Sequence, residues 1–126
     1  FGLSDGVLIK DNHIAVVGSV GAAVEAARAG APHTMRIEIE VDTLEQLDEA
    51  LAAGADVVLL DNMSLDQMRE AVRVTDGRAL LEASGGVRLD MLRAIAETGV
   101  DIISTRQITV AAPPIDIGFD LIVEGA

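Results

Sequence analysis

Several apolar runs of this 126-residue sequence end in a side chain that can bind or transfer charge. The chain's only lysine, Lys10, follows the run "GVLI", Glu40 lies near the end of "MRIEIEV", and Asp61 ends "DVVLLD". Two later runs end in the same way, "ALLEAS" in Glu82 and Ser84, and "VDIIST" in Ser104 and Thr105. If these runs are parallel strands, their carboxyl ends meet at one rim and form a site there. Carboxylate oxygens without histidine clusters or thiols suit Mg²⁺ bound partly through substrate phosphates, so Glu40 and Asp61 are the candidate metal ligands, directly or through substrate and water.

The segment "EASGGV" predicts an anion site. Ser84, Gly85 and Gly86 stand between a predicted strand and the next helix, where free backbone N–H groups and a helix N-terminus can bind phosphate. Ser-Gly-Gly is also a common turn, so the prediction depends on its place at the end of a late strand. We expect these three residues to contact a phosphate group of the substrate.

One predicted strand has a polar face. Alternation along "RIEIEV" places Arg36, Glu38 and Glu40 on one side and three apolar residues on the other. In a barrel with its helices outside, the polar side would face the lumen. Buried carboxylates need partners, so Arg36 and Glu38 could form a packed ion pair, and Lys10 or a divalent cation could balance the acids nearer the rim. The sequence leaves these arrangements open.

Neither histidine is a strong candidate for catalysis. His13 is close enough to Lys10 to assist at the rim, but a lone histidine in a predicted loop is more often structural. His33, beside Pro32 in a predicted helix-to-strand loop on the opposite rim, is expected at the surface.

Regularly spaced glycines mark the elements that must position these side chains. Gly30, Gly54, Gly77 and Gly99 follow one another at intervals of 22 to 24 residues. Glycine can close a helix in a left-handed conformation, and a short apolar run after it suits a strand buried on both faces. The expected helix N-caps are Ser19, Thr43 and Ser64. Strands are predicted at about residues 5–9, 35–41, 56–60, 78–83 and 100–104.

This helix-then-strand repeat predicts an α/β fold with parallel strands, as an open doubly wound sheet or a closed barrel. The even period and the absence of a glycine-rich dinucleotide fingerprint favour the barrel. A complete eight-unit barrel takes about 250 residues. Five strands in 126 residues therefore predict the larger part of a barrel that is incomplete in this chain, and the abrupt start at Phe1 points the same way.

Charge and composition argue against several classes of function. A net charge of −12 without a basic cluster argues against nucleic-acid binding, which requires lysine and arginine to neutralise phosphates. No cysteine is available for a disulfide framework, a thiolate metal site or a nucleophile. There is no apolar stretch near 18 residues to suggest a membrane span. We expect a cytoplasmic protein, bound to neither membrane nor nucleic acid, whose partners are small molecules.

Four ordered segments carry a family resemblance. They are "GLSDGVLIKDNHI", "IEIEVDTLEQLDEALAAGADVVLLDNM", "LEASGGV" and "AETGVDIIS", the last followed by "DIGFDL". Together they closely resemble the C-terminal part of the nicotinate-nucleotide pyrophosphorylases, also called quinolinate phosphoribosyltransferases. The resemblance extends from Gly2 to about Leu121. It implies that residues 1–126 are the C-terminal part of an α/β-barrel catalytic domain, with an N-terminal domain and the first part of the barrel absent.

The resemblance also implies a reaction and roles for the rim residues. Family members join quinolinate to the ribose of phosphoribosyl pyrophosphate with Mg²⁺, releasing CO₂ and pyrophosphate and giving nicotinate mononucleotide for NAD synthesis. By motif, Lys10 matches a lysine that binds the anionic substrates, and Glu40 and Asp61 match carboxylates near the ribose and the metal. Residues 84–86 match phosphate contacts. Other family cations lie upstream of Phe1 or come from a partner subunit, which implies a homodimer or larger homo-oligomer with shared active sites.

The chain departs from the family pattern after the fifth predicted strand. Many members have a glycine-containing phosphate loop followed by "LTHS", whereas this chain reads "STRQITVAAPP", with Arg106 at the glycine and Val110 at the histidine. We expect Thr105 and Arg106 to contribute to substrate binding, Arg106 through its guanidinium, which suits bidentate phosphate contacts. Val110 is not expected to be catalytic.

Two other classes of function remain open. A Schiff-base lyase would use Lys10 as a nucleophile toward a carbonyl, but it leaves residues 84–86 and the paired carboxylates with less to do. A non-catalytic barrel that retains only an anion site is supported by the departure at Arg106 alone. A related branch acting in molybdate systems, or another pyridine acid as substrate, would also share these segments.

Overall fold

The computed structural model describes residue 2 and residues 4–110, which form alternating strands and helices. The first half contains β1 (Val7–Ile9), α1 (Asp11–Val17), α2 (Val20–Gly30), β2 (Ile37–Val41), α3 (Leu44–Ala52) and β3 (Val57–Asp61). The second half contains α4 (Leu65–Thr75), β4 (Leu80–Ser84), a 3₁₀ turn (Leu89–Met91), α5 (Leu92–Ala96), β5 (Ile102–Ile103) and α6 (Gln107–Val110). All five predicted strands are confirmed, the fifth as a two-residue strand.

The five strands form one parallel sheet in the order β1-β2-β3-β4-β5. Because each crossover moves to the next strand in the same direction, all crossover helices lie on one face, and consecutive helices from α1 to α5 contact one another. This arrangement confirms the predicted α/β fold of repeated units. Within the described residues, the sheet is open, with β1 and β5 at its edges.

The core lies between the sheet and the helices. Ile37, Ile39 and Leu60 point from the central strands to this layer and are fully buried, as is Leu47 of α3. Burying a side chain of this size stabilises the fold by about 1.5–3 kcal/mol. Since the helices cover this face with apolar contacts, polar side chains of the same strands are left for the opposite face.

Hydroxyl side chains start three of the helices, as predicted. The Oγ atoms of Ser19 and Ser64 and the Oγ1 atom of Thr43 accept hydrogen bonds from backbone N–H groups three residues later, at 3.2, 3.3 and 3.2 Å. Such a cap is worth about 1 kcal/mol. The caps at Thr43 and Ser64 also fix where the chain leaves β2 and β3, and therefore the shape of the rim.

Helix α1 is absent from the sequence-based prediction, which placed His13 in a loop. The structure begins this helix directly after Lys10, and His13 lies in its first turn. The Nδ1 atom of His13 accepts the backbone N–H of Lys10 at 2.9 Å, which satisfies a donor at the helix start. This contact supports a structural role for His13. His33 is exposed, as expected.

Aspartates join neighbouring strands at the amino end of the sheet. The Oδ2 atom of Asp56 accepts the backbone N–H of Ile37 at 2.8 Å, and it lies 3.0 Å from Nη1 of Arg28. Partial burial raises the pKa of Asp56, but the Ile37 hydrogen bond and Arg28 outweigh it, so the pKa is lowered overall. Asp101 repeats the strand contact, accepting the N–H of Leu81 at 2.8 Å. These contacts hold the end of the sheet opposite the predicted site.

No helix within residue 2 and residues 4–110 is both long and apolar enough to cross a membrane.

Candidate functional site at the carboxyl ends of the strands

A cleft of about 880 Å³ opens at the carboxyl ends of the five strands. All eight site residues predicted from the sequence line it, namely Lys10, Glu40, Asp61, Ser84, Gly85, Gly86, Thr105 and Arg106. Leu59 and Val87 add apolar surface, and Asn62, Arg88, Ser104 and Gln107 add polar groups. The structure thus brings the predicted residues together, although they are spread over almost 100 positions of sequence.

Lys10 and Glu40 form an ion pair across two neighbouring strands. Ile9 is paired with Ile39 in the sheet, so the residues that follow them, Lys10 and Glu40, are adjacent at the rim. The Nζ atom of Lys10 lies 3.4 Å from Oε2 of Glu40. The lysine side chain is 53% exposed and the glutamate side chain 19%. The pair therefore presents an ammonium group to the cleft while its carboxylate stays mostly covered.

Asp61 is the last residue of β3 and faces Ser84 on β4 in the strand register. Its Oδ2 atom accepts a hydrogen bond of 2.7 Å from Nδ2 of Asn62. Asp61 also makes no ion pair to any residue within the described range. Its carboxylate is thus held on one side and available to a ligand in the cleft.

The Ser-Gly-Gly segment forms a tight turn at the end of β4. Gly85 and Gly86 have φ values of +85° and +59°, the left-handed region that glycine adopts readily. A Cβ atom on Gly85 would lie 2.5 Å from Cγ of Asn62, so only glycine fits here. The backbone O of Ser84 accepts the N–H of Asn62 at 3.0 Å. The predicted phosphate turn after β4 is therefore packed against Asn62, directly after the end of the neighbouring strand β3.

Sequence reasoning missed Asn62. It has a φ of +53°, and asparagine is one of the few residues other than glycine that adopts this conformation at modest cost. An asparagine directly after a predicted strand end, as in "LLDNM", was the available signal. The contact with Gly85 could not be found from the sequence, because the two residues are brought together only by the pairing of β3 with β4.

The loops after β4 and β5 are tied together on one wall of the cleft. The Oγ1 atom of Thr105 donates to the backbone O of Val87 at 2.8 Å and accepts the N–H of Gln107 at 3.2 Å. The Oε1 atom of Gln107 accepts the N–H of Leu89 at 3.0 Å. The hydroxyl proton of Thr105 is thus engaged within the protein, so a substrate contact by Thr105 would use a remaining lone pair or the backbone.

Two arginines lie on the same wall. Arg88, which sequence reasoning also missed, donates from Nε and Nη2 to the two carboxylate oxygens of Asp90 at 3.0 and 2.9 Å. The pKa of Asp90 is lowered by Arg88. The side chain of Arg106 has no hydrogen bond or ion pair to another residue of the described range, and the residue is exposed. Arg106 is therefore free to bind an anion. The side chain of Val110, which is not expected to be catalytic, lies outside the described residues.

A second polar layer lies below the rim on the same face of the sheet. Glu38 contacts Glu82, and the Oγ atom of Ser104 donates to Oε1 of Glu82. Burial raises the pKa of Glu38, and the charge and hydrogen bond of Glu82 raise it further. The alternative of an Arg36–Glu38 ion pair is wrong, since no such pair occurs among the described residues. Arg36 is exposed at the amino end of the sheet and acts on Asp56.

A comparison with known protein families shows which family this chain belongs to. The profile of the family described as "Quinolinate phosphoribosyl transferase, C-terminal domain" matches residues 1–120. The chain belongs to this family. Its membership confirms the resemblance inferred from the four segments, and the predicted rim residues all lie within the matched range.

Individual relatives of the chain support its assignment to this quinolinate phosphoribosyl transferase family. The chain is 46% identical over 121 residues to a "Probable nicotinate-nucleotide pyrophosphorylase [carboxylating]" of Bacillus subtilis, covering 96% of this chain and 42% of that protein. It is 48% identical over 123 residues to the "Nicotinate-nucleotide pyrophosphorylase [carboxylating]" of Mycobacterium leprae, covering 95% and 43%. The crystal structure of the nicotinate-nucleotide pyrophosphorylase from Ehrlichia chaffeensis superimposes with a TM-score of 0.82 at 44% identity, covering 87% of this chain and 40% of that one. The chain thus spans about two fifths of the length of these relatives.

Proposed function

We propose that this chain is the C-terminal part of the α/β-barrel catalytic domain of a nicotinate-nucleotide pyrophosphorylase. Family membership and the names of its relatives support the activity, and the two-fifths coverage supports a larger protein that includes an N-terminal domain and the first part of the barrel. The open edges of the sheet at β1 and β5 are consistent with further strands in that protein. We call that complete polypeptide the full-length protein.

The proposed reaction joins quinolinate to phosphoribosyl pyrophosphate. The ring nitrogen of quinolinate forms a bond to the anomeric carbon of the ribose, while the bond from that carbon to pyrophosphate breaks and its electron pair leaves with pyrophosphate. The ring carboxylate next to the nitrogen then leaves as CO₂, and the electron pair that remains on the ring carbon takes up a proton. The products are nicotinate mononucleotide, pyrophosphate and CO₂, as in NAD biosynthesis.

The single observation that carries the proposal is the arrangement of one cation, two carboxylates and one glycine turn around the same cleft. Lys10 would bind a carboxylate of quinolinate, because its ammonium group is half exposed beside Glu40. Glu40 and Asp61 would stabilise the positive charge that develops on the ribose as pyrophosphate departs. Their places at the ends of adjacent strands hold them still during this step.

The other wall of the cleft would bind phosphate. The left-handed turn at Gly85 and Gly86 lines the cleft beside Ser84, and its backbone N–H groups would donate to phosphate oxygens. Arg106 adds a guanidinium group without another partner in the described range, and Thr105 shapes the loop beside it. In this proposal, phosphate groups bind against β4 and β5, and the ribose binds nearer Asp61.

The donor set fits Mg²⁺ as the proposed cofactor. Glu40 and Asp61 supply hard oxygen ligands at one cleft, but no group of three or more potential metal ligands occurs among the described residues. Mg²⁺ is usually bound by one or two carboxylates together with substrate phosphates and water. When bound, the ion would neutralise charge on pyrophosphate, while Asp61 and Glu40 would hold it directly or through water.

The charge balance of the cleft supports a shared active site. Within the described residues, the cations that line it are Lys10, Arg88 and Arg106, and the first two already face Glu40 and Asp90. A dicarboxylate and a pyrophosphate together carry more negative charge than these groups can balance. We therefore propose a homodimer or larger homo-oligomer in which other segments and a partner subunit add cations.

Because both substrates are multiply charged and do not cross membranes unaided, we also propose a cytoplasmic location.

Product analysis of the full-length protein tests this function. Incubation with quinolinate, phosphoribosyl pyrophosphate and Mg²⁺ is expected to yield nicotinate mononucleotide and pyrophosphate in equal amounts. Borohydride treatment with a keto acid is the control for the lyase alternative, which requires covalent trapping at Lys10. Trapping at Lys10 without nucleotide formation would contradict the proposal, and so would phosphate binding with no turnover of either kind.

A further inference from the structure

Asn62 occupies a backbone conformation that its neighbours must maintain. Within the described residues, it and Asp76 are the non-glycine residues with positive φ, at +53° and +47°. Asp76 follows the last residue of α4, where a left-handed residue is the common helix ending. Asn62 follows a strand, so no helix ending explains its conformation. Its backbone N–H is instead held by the backbone O of Ser84 at 3.0 Å.

The side chain of Asn62 contacts both halves of the proposed site. Its Nδ2 atom donates to Oδ2 of Asp61 at 2.7 Å. The other atoms of the amide, Oδ1 and Cγ, lie so close to the position of a Cβ atom on Gly85 that no such atom would fit. The amide therefore fills the space between the carboxylate at the end of β3 and the glycine turn at the end of β4.

We propose that Asn62 is a positioning residue that holds the Asp61 carboxylate and the residue 84–86 turn in a fixed relation to each other. The inference rests on the proposed function, in which Asp61 acts at the ribose and the turn binds phosphate. Phosphoribosyl pyrophosphate spans both, so a shift of one relative to the other separates the reacting carbon from the groups that stabilise its charge. Asn62 itself would contact no reacting atom in the proposed reaction.

Asn62→Gly in the full-length protein is the first test. Glycine accepts the positive φ but removes the amide, so the fold is retained and the link between Asp61 and Gly85 is lost. We expect kcat to fall at least tenfold and the affinity for inorganic pyrophosphate, measured by calorimetry, to fall at least fivefold. The matched control is Asp76→Gly, which makes the same change of backbone type on an exposed helix end outside the cleft. It should leave kcat and pyrophosphate affinity within twofold of the wild-type values.

Asn62→Asp separates hydrogen bonding from packing. Aspartate keeps the shape and tolerates the left-handed conformation, as Asp76 does, but it replaces the donor to Asp61 with a charged oxygen. Gln107→Glu is the charge-matched control, since it adds the same charge to the cleft and keeps the oxygen that accepts the N–H of Leu89. We expect kcat of Asn62→Asp to be at least tenfold below that of Gln107→Glu.

The outcomes distinguish this inference from the proposed function. If the wild-type protein forms no nucleotide, the proposed function fails, and the pyrophosphate titrations alone decide the role of Asn62. Unchanged kcat and pyrophosphate affinity in Asn62→Gly would overturn the inference even if the wild-type enzyme is active. It would also be overturned if the wild-type protein did not bind pyrophosphate, or if both Asn62 variants unfolded, because Asn62 would then be a structural residue only.

Discussion

Lys10 presents a half-exposed ammonium group whose acid partner, Glu40, is mostly covered. An exposed ion pair alone contributes little to stability, about 0–1 kcal/mol. The pair is therefore better explained by what the ammonium group can bind than by what it adds to the fold. Glu40 fixes its position, and the cleft in front of it has room for a dicarboxylate.

Lys10→Ala in the full-length protein should weaken quinolinate binding by about 2 kcal/mol, the lower end of the range for removing one partner of a charge pair, since Lys10 is half exposed. Lys10→Arg should keep measurable binding but impair turnover, because the planar guanidinium does not have the geometry of an ammonium group. Calorimetric titration of quinolinate measures both. Arg69→Ala is the control, since it removes an equally exposed cation paired with Asp66 on α4. Unchanged affinity in Lys10→Ala would show that the lysine only balances Glu40.

Individual site residues were predictable where chemistry follows from position at a strand end. Lys10 and Asp61 each follow an apolar run, Glu40 lies one residue before the end of β2, and the fold places all three on one cleft. Asn62 was not predictable, since its importance depends on its own backbone angle and on a contact with Gly85 in another loop. Arg88 was missed because it follows the Ser-Gly-Gly turn and has no pattern of its own.

Most of the strands and helices could be predicted from short features of the sequence. Glycine after a helix and hydroxyl caps before the next helix are short-range features, and they located the five strands. Helix α1 was missed because Lys10 is not a typical N-cap and His13 supplies the side-chain acceptor instead. The Glu38–Glu82 contact depends on which strands are neighbours and in which register, which single strands do not specify.

Asp56 connects two elements at the amino end of the sheet, and its charge should make that end sensitive to acid. The pKa of Asp56 is lowered in the folded protein. Its charge therefore stabilises the fold at pH values above the ordinary aspartate pKa of about 3.9, and this stabilisation is lost as the pH falls through the folded pKa. Asp56→Asn keeps an oxygen for the N–H of Ile37 but removes the ion pair with Arg28. The free energy of unfolding of the full-length variant should be lower than wild type at pH 7, by at most about 1 kcal/mol for this part-exposed pair.

The same comparison at lower pH checks the cause. The difference in the free energy of unfolding between wild type and Asp56→Asn, measured by urea unfolding, should shrink as the pH falls below about 5 and should be lost below the folded pKa of Asp56. A difference that stays constant or grows over this range would contradict the assigned role of charge.

The open sheet is the dominant feature of the part of the chain that the structure describes. Its edge strands β1 and β5 have unpaired sides within the described residues, and Leu8 and Ile102 on these strands are 42% and 37% exposed. Unpaired strand edges and exposed apolar side chains favour aggregation over independent folding. The glycine spacing predicted the repeated helix-and-strand units and their parallel strands, and it favoured a barrel of which these residues form an open part.

The 126-residue chain expressed alone should therefore be inactive and fold poorly. We expect no cooperative thermal transition by circular dichroism, whereas the full-length protein, measured alongside, should show one. A cooperative transition of the isolated chain at a temperature normal for a stable domain would show that additional strands are dispensable.

Phosphoribosyl transfer at this cleft can be measured through the release of labelled CO₂ from quinolinate that carries the label in the ring carboxylate next to the nitrogen. With the full-length protein and Mg²⁺, we expect release only when phosphoribosyl pyrophosphate is present, with one nucleotide formed per CO₂. Glu40→Gln and Asp61→Asn should each lower the rate at least about tenfold, equivalent to about 1.4 kcal/mol of transition-state stabilisation, without loss of fold. Wild-type rates in both folded variants, or no release by the wild-type protein, would contradict the assignment of this cleft to phosphoribosyl transfer.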